Sequence, residues 1–152
     1  MNASNQLAKA IHDALSMKYT RESFDSIRDE YGEDSADFTC EIDGQEYRVI
    51  HDDEIDEIMQ EELGDDPYIL GCFNASFLSD VLGISQVAIE KIQEADAFEG
   101  LGEIVLSIPG KLKEFQAKFR QADGYGPHFA HYDGEEHECT ANGNDYHIFR
   151  IN

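Results

Sequence analysis

The sequence predicts an α+β fold: an antiparallel sheet made of an N-terminal hairpin and a C-terminal three-stranded meander, with a central helical block. Three observations carry this expectation. Apolar residues alternate with polar ones over residues 36–50 and again over 127–152. Between these stretches they recur at helical spacing instead. The dipeptide Asp43–Gly44 sits between two β-rich runs, where a two-residue type I′ turn would join them. At 152 residues, with no internal repeat or low-complexity linker, the chain reads as a single domain, 1–152.

Leu7, Ala8, Ile11 and Leu15 place an amphipathic helix over residues 5–17. A second is expected over 21–31, with Thr20 as N-cap and Gly32 as its stop. The hairpin DFTCEI–DG–QEYRVI follows, with Phe38, Cys40 and Ile42 on one face and Tyr47 and Val49 as their counterparts on the other strand. Ile55, Ile58, Met59 and Leu63 then form one helical stripe closed by Gly64. Asp66–Pro67 opens a segment running to Leu82, and Ser85 caps VAIEKIQEA. A further helix covers about 97–106, and Pro109 stands at the first position of the last one, GKLKEFQAKFRQ. Turns are expected near Asp133–Gly134 and Asn142–Gly143–Asn144, with Tyr132, Tyr146, Ile148 and Phe149 packing sheet against helices.

Charge separates this chain from an ordinary domain. Thirty-three acids against 11 bases give −22, concentrated in the first two thirds. Between Asp29 and Asp66 there are seventeen acids and one base, Arg48. Direct contact with nucleic acid or an anionic membrane would bring like charges together, so the expected partner is cationic. Halophilic adaptation also yields acidic surfaces. It generally favours Val over Ile and Arg over Lys, whereas this chain has fourteen Ile to four Val and more Lys than Arg. The three cysteines include no CxxC pair, and no apolar run approaches the ~20 residues of a membrane span. The N-terminus lacks the apolar core of a signal peptide, and the expected location is the cytoplasm.

No motif names a reaction. GxSxG, the P-loop and GxGxxG are all absent, and the chain is read as a non-enzyme with no cofactor. A metal-dependent enzyme built on the histidine-rich C-terminal sheet is the weaker alternative. There, His137 and Cys139 would share a strand face while His128 and His131 would point to opposite faces, so no metal site is expected. An EF-hand reading of Asp52–Asp53–Glu54–Ile55–Asp56 fails because Glu57 replaces the turn glycine and Leu63 the bidentate Glu. FLSDVLGISQVAIEKI resembles the helix-turn-helix of DNA-binding regulators. Its second helix, however, offers Glu90, Glu94 and Asp96 against one Lys91, where phosphates require cations.

The stretch HDDEIDEIMQEELGDD, residues 51–66, contains nine carboxylates and no Lys or Arg. Like charges one helical turn apart cost a few tenths of a kcal/mol per pair. Asp53, Glu57 and Glu61 fall at such i+4 steps, repeating every ~6 Å along a helix. Duplex DNA presents a phosphate every ~3.4 Å along each strand, so adjacent acidic arcs could imitate its backbone. In this charge pattern, over residues 29–66, the chain resembles the acidic DNA-mimic inhibitors encoded by phages and plasmids, the anti-restriction and anti-CRISPR class. The resemblance implies an inhibitor that occupies the basic DNA- or RNA-binding surface of a host defence enzyme in the host cytoplasm. The residues it assigns as phosphate surrogates are Asp52, Asp53, Glu54, Asp56, Glu57, Glu61, Glu62, Asp65 and Asp66, supported by Glu33, Asp34, Asp37, Glu41, Asp43 and Glu46. The partner is then a basic nucleic-acid-binding protein or complex, with no direct nucleic acid and no membrane, and a homodimer is compatible with the reading. The alternative is an acidic adaptor or immunity-type inhibitor that binds a basic protein without imitating DNA.

Overall fold

The structure, a computed structural model, describes residues 3–16 and 36–152. The second helix expected over 21–31 lies outside these residues. The fold is α+β, with eight helices and one four-stranded antiparallel sheet among the described residues. These residues divide into two compact units. One comprises residues 3–16 and 36–55 together with Asp123–Asn152; the other is Asp56–Ala122.

The first unit contains α1 (Ala3–Ala14), β1 (Asp37–Ile42) and β2 (Gln45–His51). Its C-terminal part supplies α8 (Gly126–Phe129), β3 (His137–Ala141) and β4 (Asn144–Arg150). The sheet order is β1-β2-β4-β3, so the two hairpins join through β2 and β4, with Val49 opposite Ile148. Asp43 and Gly44 both take positive φ, 52° and 76°, as the type I′ turn requires. The face bearing Phe38, Cys40, Ile42, Tyr47, Val49, Tyr146 and Ile148 is closed by Leu7, Ala8 and Ile11 of α1. On the other face the Phe149 ring lies 5.0 Å from that of Phe129, over which the Arg48 guanidinium sits at 5.0 Å.

The expected three-stranded meander is a two-stranded hairpin preceded by a short helix. Pro127 explains the difference. It has no N–H to give a sheet ladder, but in the first turn of a helix that donor has no partner to lose. His128 and His131 therefore do not alternate across a strand: His128 is on α8, and the His131 ring lies 3.1 Å from its carbonyl oxygen. Tyr146, Ile148 and Phe149 are buried as expected, whereas Tyr132 is 59% exposed. The Arg150 guanidinium stacks 3.6 Å from its ring, so Tyr132 makes a surface cation–π contact and takes no part in the core.

The second unit is helical: most of α2 (Ile55–Gly64), then α3 (Pro67–Gly71), α4 (Ala75–Leu82), α5 (Gln86–Glu94), α6 (Phe98–Ser107) and α7 (Lys111–Asp123). Residues 67–82 form two helices rather than one segment, because the Asn74 side chain accepts from the Ser76 N–H and starts a new helix. Ser85 caps α5 as expected, accepting from the Ala88 N–H at 3.2 Å. Pro109 is not the first residue of α7. Gly110, at φ +79°, intervenes, and the helix begins at Lys111. The core gathers Met59, Leu63, Leu70, Leu78, Val81, Ile89, Leu101, Val105, Phe115 and Phe119. Phe73 lies edge-on to Phe115 and Phe119, at 4.6 and 4.9 Å between centroids. Gln93 bridges two chain segments by donating to the carbonyls of Gly71 and Phe73.

Candidate functional site

The acidic stretch splits according to what each carboxylate touches. Asp52, Asp53 and Glu54 belong to the first unit and form a turn ahead of α2, not its first helical residues. The expected i+4 series from Asp53 is therefore shortened to Glu57 and Glu61. The Glu54 N–H donates to the His51 carbonyl, and the Asp53 N–H lies 3.0 Å from His51 Nδ1, which fixes this turn. Asp53 and Glu54 are exposed. Asp52 lies 2.7 Å from the buried His147, and its own N–H donates to the Asp145 carbonyl.

In the second unit, Ile58, Met59 and Leu63 turn toward the core and leave Glu57 and Glu61 exposed, one helical turn apart. Asp56 departs from the expected outward arc. Its carboxylate accepts from Gln116 at 2.9 Å and pairs with Arg120 at 3.1 Å, so it ties α2 to α7. Glu62 is half-buried, Asp65 is exposed, and Asp66 is exposed but caps α3 by accepting from the Ile69 N–H. Four of the five bases of this unit pair with acids other than Glu57, Glu61 and Asp65, and the fifth, Lys113, is exposed on α7. Arg120 meets Asp56, Lys118 meets Asp80 and Glu114, Lys111 meets Glu114, and Lys91 meets Glu94. The Lys111 ammonium holds the Glu114 carboxyl below the usual range, and Asp80 holds the Lys118 ammonium above its own.

Of the supporting residues, Glu33 and Asp34 lie outside the described residues. Asp37 forms a two-pronged pair with Arg48, at 2.8 and 2.7 Å. Arg48, the single base of the acidic region, is thus committed within the sheet. Glu41 and Glu46 are directly opposed across β1 and β2, an unfavourable like-charge pairing. The Asn152 amide reaches Glu46 at 3.4 Å, and Asp43 is exposed at the hairpin tip.

The helix-turn-helix resemblance corresponds to a real corner. Gly83, at φ +69°, ends α4, and the Ser79 hydroxyl donates to the Ile84 carbonyl. Glu90 and Glu94 are exposed on its second helix, so the corner carries no cationic reading head.

His137 and Cys139 share a strand face as expected, but Cys139 has no feature of an activated thiol. Burial pushes its pKa up to about 11. Cys40 is buried and Cys72 exposed. A disulfide reagent at pH 8 should therefore modify Cys72 rapidly, Cys139 slowly because little of it is thiolate, and Cys40 only on unfolding. Mass mapping of the labelled peptides checks this.

Two arrangements here are visible only in three dimensions. Asp133, Glu135 and His137 bring one donor atom each within 4.8 Å of one another at the surface. A groove of about 440 Å³ is lined by Asp52, Glu138, Cys139, Thr140, Asp145, Tyr146 and His147. The sequence offers His147 only as one of several C-terminal histidines that could suggest zinc, and it gives no sign of Glu138 or of the link to Asp52, 95 positions away. No helix among the described residues is long and apolar enough to cross a membrane. Comparison with protein-family models, curated proteins and solved structures finds no match.

Proposed function

We propose that the chain is an acidic nucleic-acid-mimic inhibitor that occupies the basic DNA- or RNA-binding surface of a host defence enzyme, a CRISPR effector or a restriction system. One observation carries the reading. Glu57, Glu61 and Asp65 stay exposed while Arg120, Lys118, Lys111 and Lys91 of the same unit pair with other acids. A fold using its bases to offset repulsion would place them beside the densest acids. Arg120 offsets Asp56 alone in this stretch, and leaving Glu57, Glu61 and Asp65 without a base suits a partner that brings the cations. Glu57 and Glu61 stand ~6 Å apart along the helix axis, about two phosphate steps of a DNA strand.

Asp56 and Asp66 are set aside as phosphate surrogates, since each has a structural partner. Glu57, Glu61 and Asp65 form the inferred contact set in this unit, with Asp53 and Glu54 as a second exposed group in the other. Titrating the protein into a CRISPR effector complex and a restriction enzyme tests the proposal. Binding to at least one should weaken steeply as salt rises, as expected when several charge pairs form. Binding insensitive to salt, or none to either class, would remove the support.

A specific feature favours the adaptor as a second reading. Tyr68 and Ile69, 52% and 46% exposed, follow the acidic stretch directly on α3. An exposed aromatic beside charged residues is the usual makeup of a protein–protein hot spot. In the adaptor reading Tyr68→Ala weakens binding more than Glu57/Glu61→Lys does; for a mimic the order is reversed.

A further inference from the structure

His147 sits on β4 with its side chain only 8% exposed, between two carboxylates. Its Nε2 is 2.7 Å from Asp52 Oδ1. A carboxylate can only accept there, so Nε2 carries the hydrogen and donates. The other ring nitrogen, Nδ1, is buried and has no hydrogen-bond partner. What it faces is Glu138 Oε1, 3.7 Å away on the neighbouring strand, where Glu138 and His147 are paired in register. In the neutral imidazole, Nδ1 presents a lone pair to that negative oxygen. Two acceptors face each other across a gap too wide for a hydrogen bond.

We propose that this gap is a binding site for a divalent transition-metal ion of the zinc class, with His147 Nδ1 and Glu138 as ligands and Asp52 orienting the imidazole. Three features argue for a metal. A metal-binding histidine commonly donates its second N–H to a carboxylate, as His147 does to Asp52. Zinc–nitrogen and zinc–oxygen bonds of ~2.0–2.2 Å put neighbouring tetrahedral ligands roughly 3.3–3.5 Å apart, close to the 3.7 Å observed. The imidazole donor favours zinc-like ions over magnesium or calcium.

The surroundings suit a cation. The groove is lined by Asp52, Glu138 and Asp145 and by no Lys or Arg, and its volume leaves room for water as the remaining ligands. The Thr140 hydroxyl donates to Asp145 at 2.7 Å, holding that carboxylate beside the site. Tyr125 packs edge-on to the His147 ring at 5.1 Å and limits its rotation. Cys139 is on the opposite strand face from Glu138 and is not a ligand. The inference is independent of the proposed inhibitory role, since it concerns one groove of the first unit.

The test is titration of the chelator-treated full chain with zinc chloride by calorimetry, alongside nitrogen NMR of the histidine rings. One zinc per chain should bind, and the His147 Nδ1 resonance should move. Glu138→Gln, at a carboxylate 75% exposed and so harmless to folding, should weaken binding at least tenfold. Asp52→Asn should weaken it about 10–100-fold. His137→Ala should leave it unchanged. Zinc binding lost in His137→Ala but kept in Glu138→Gln would place the ion on the Asp133–Glu135–His137 cluster and overturn the proposal. So would an absence of binding at millimolar zinc, or a His147 Nδ1 that carries a proton and does not respond to the metal.

Discussion

Replacing Gly102 by alanine is expected to destabilise the helical unit by about 3 kcal/mol or more, at the upper end of overpacking costs. A Cβ added to Gly102 would run into the Pro67 carbonyl, and one added to Gly71 would run into the carbonyl of Phe98. The backbones of α3 and α6 therefore touch at both glycines. A flexible side chain could move aside, but here the obstacle is main chain, and the helices themselves must separate. Separation would loosen the buried Leu70, Leu101 and Val105 together. At roughly 2–4 °C per kcal/mol for a chain of this size, thermal unfolding should shift down by about 6–12 °C. Gly100, on the same helix, has nothing within 4 Å of its Cβ position. Gly100→Ala should stabilise by up to ~1 kcal/mol, because alanine loses less backbone entropy in a helix. Opposite signs two residues apart would identify contact, and not glycine itself, as the cause. Equal, small effects would mean the helices do not meet as described.

The second large effect is on binding. Glu57/Glu61→Lys should reduce affinity for the cationic partner by roughly two orders of magnitude or more, through lost attraction and new repulsion. The fold should hardly respond. Both side chains are exposed, and the buried Met59 and Leu63 are untouched. Glu57 lies in the first turn of α2, so Lys there loses a favourable dipole interaction of ~0.3–1 kcal/mol. Lys at position 61, nearer the C-terminal end, recovers a similar amount. The net change in stability should therefore stay within about 0.5 kcal/mol. Asp56→Lys is the contrasting variant. It breaks the contacts with Gln116 and Arg120 and should destabilise measurably. Parallel unfolding and binding measurements on the two variants separate charge kept for a partner from charge kept for the fold.

Elements held by local rules were legible in the sequence. Asp43–Gly44 announced the first hairpin because its turn demands positive φ at both positions. Ser85 marked the start of α5 because its hydroxyl satisfies an amide of its own helix. Non-local relations were not legible. Periodicity makes Asp56 an outward acid, and only α7, sixty positions on, shows that Gln116 draws it inward. The close backbone approaches at Gly71 and Gly102 likewise depend on segments about thirty positions apart and leave no local signal. Pro127 fell within an apparently alternating run, and its missing donor outweighed the pattern. The candidate sites divide the same way. The acidic stretch is visible as composition, while the Asp52–His147–Glu138 arrangement exists only because β3, β4 and the turn after β2 converge.

The central claim is that the acidic surface stands in for nucleic acid. Competition tests it most directly: the affinity of the protein for a target defence enzyme is measured at fixed salt over a series of DNA or guide-loaded substrate concentrations. A mimic shares its site with the nucleic acid, so its apparent dissociation constant should rise in proportion to occupancy by DNA. Wild-type protein and DNA should never be bound together. An apparent affinity independent of DNA, with a ternary complex of enzyme, DNA and protein, would contradict the claim and leave the protein an adaptor bound elsewhere.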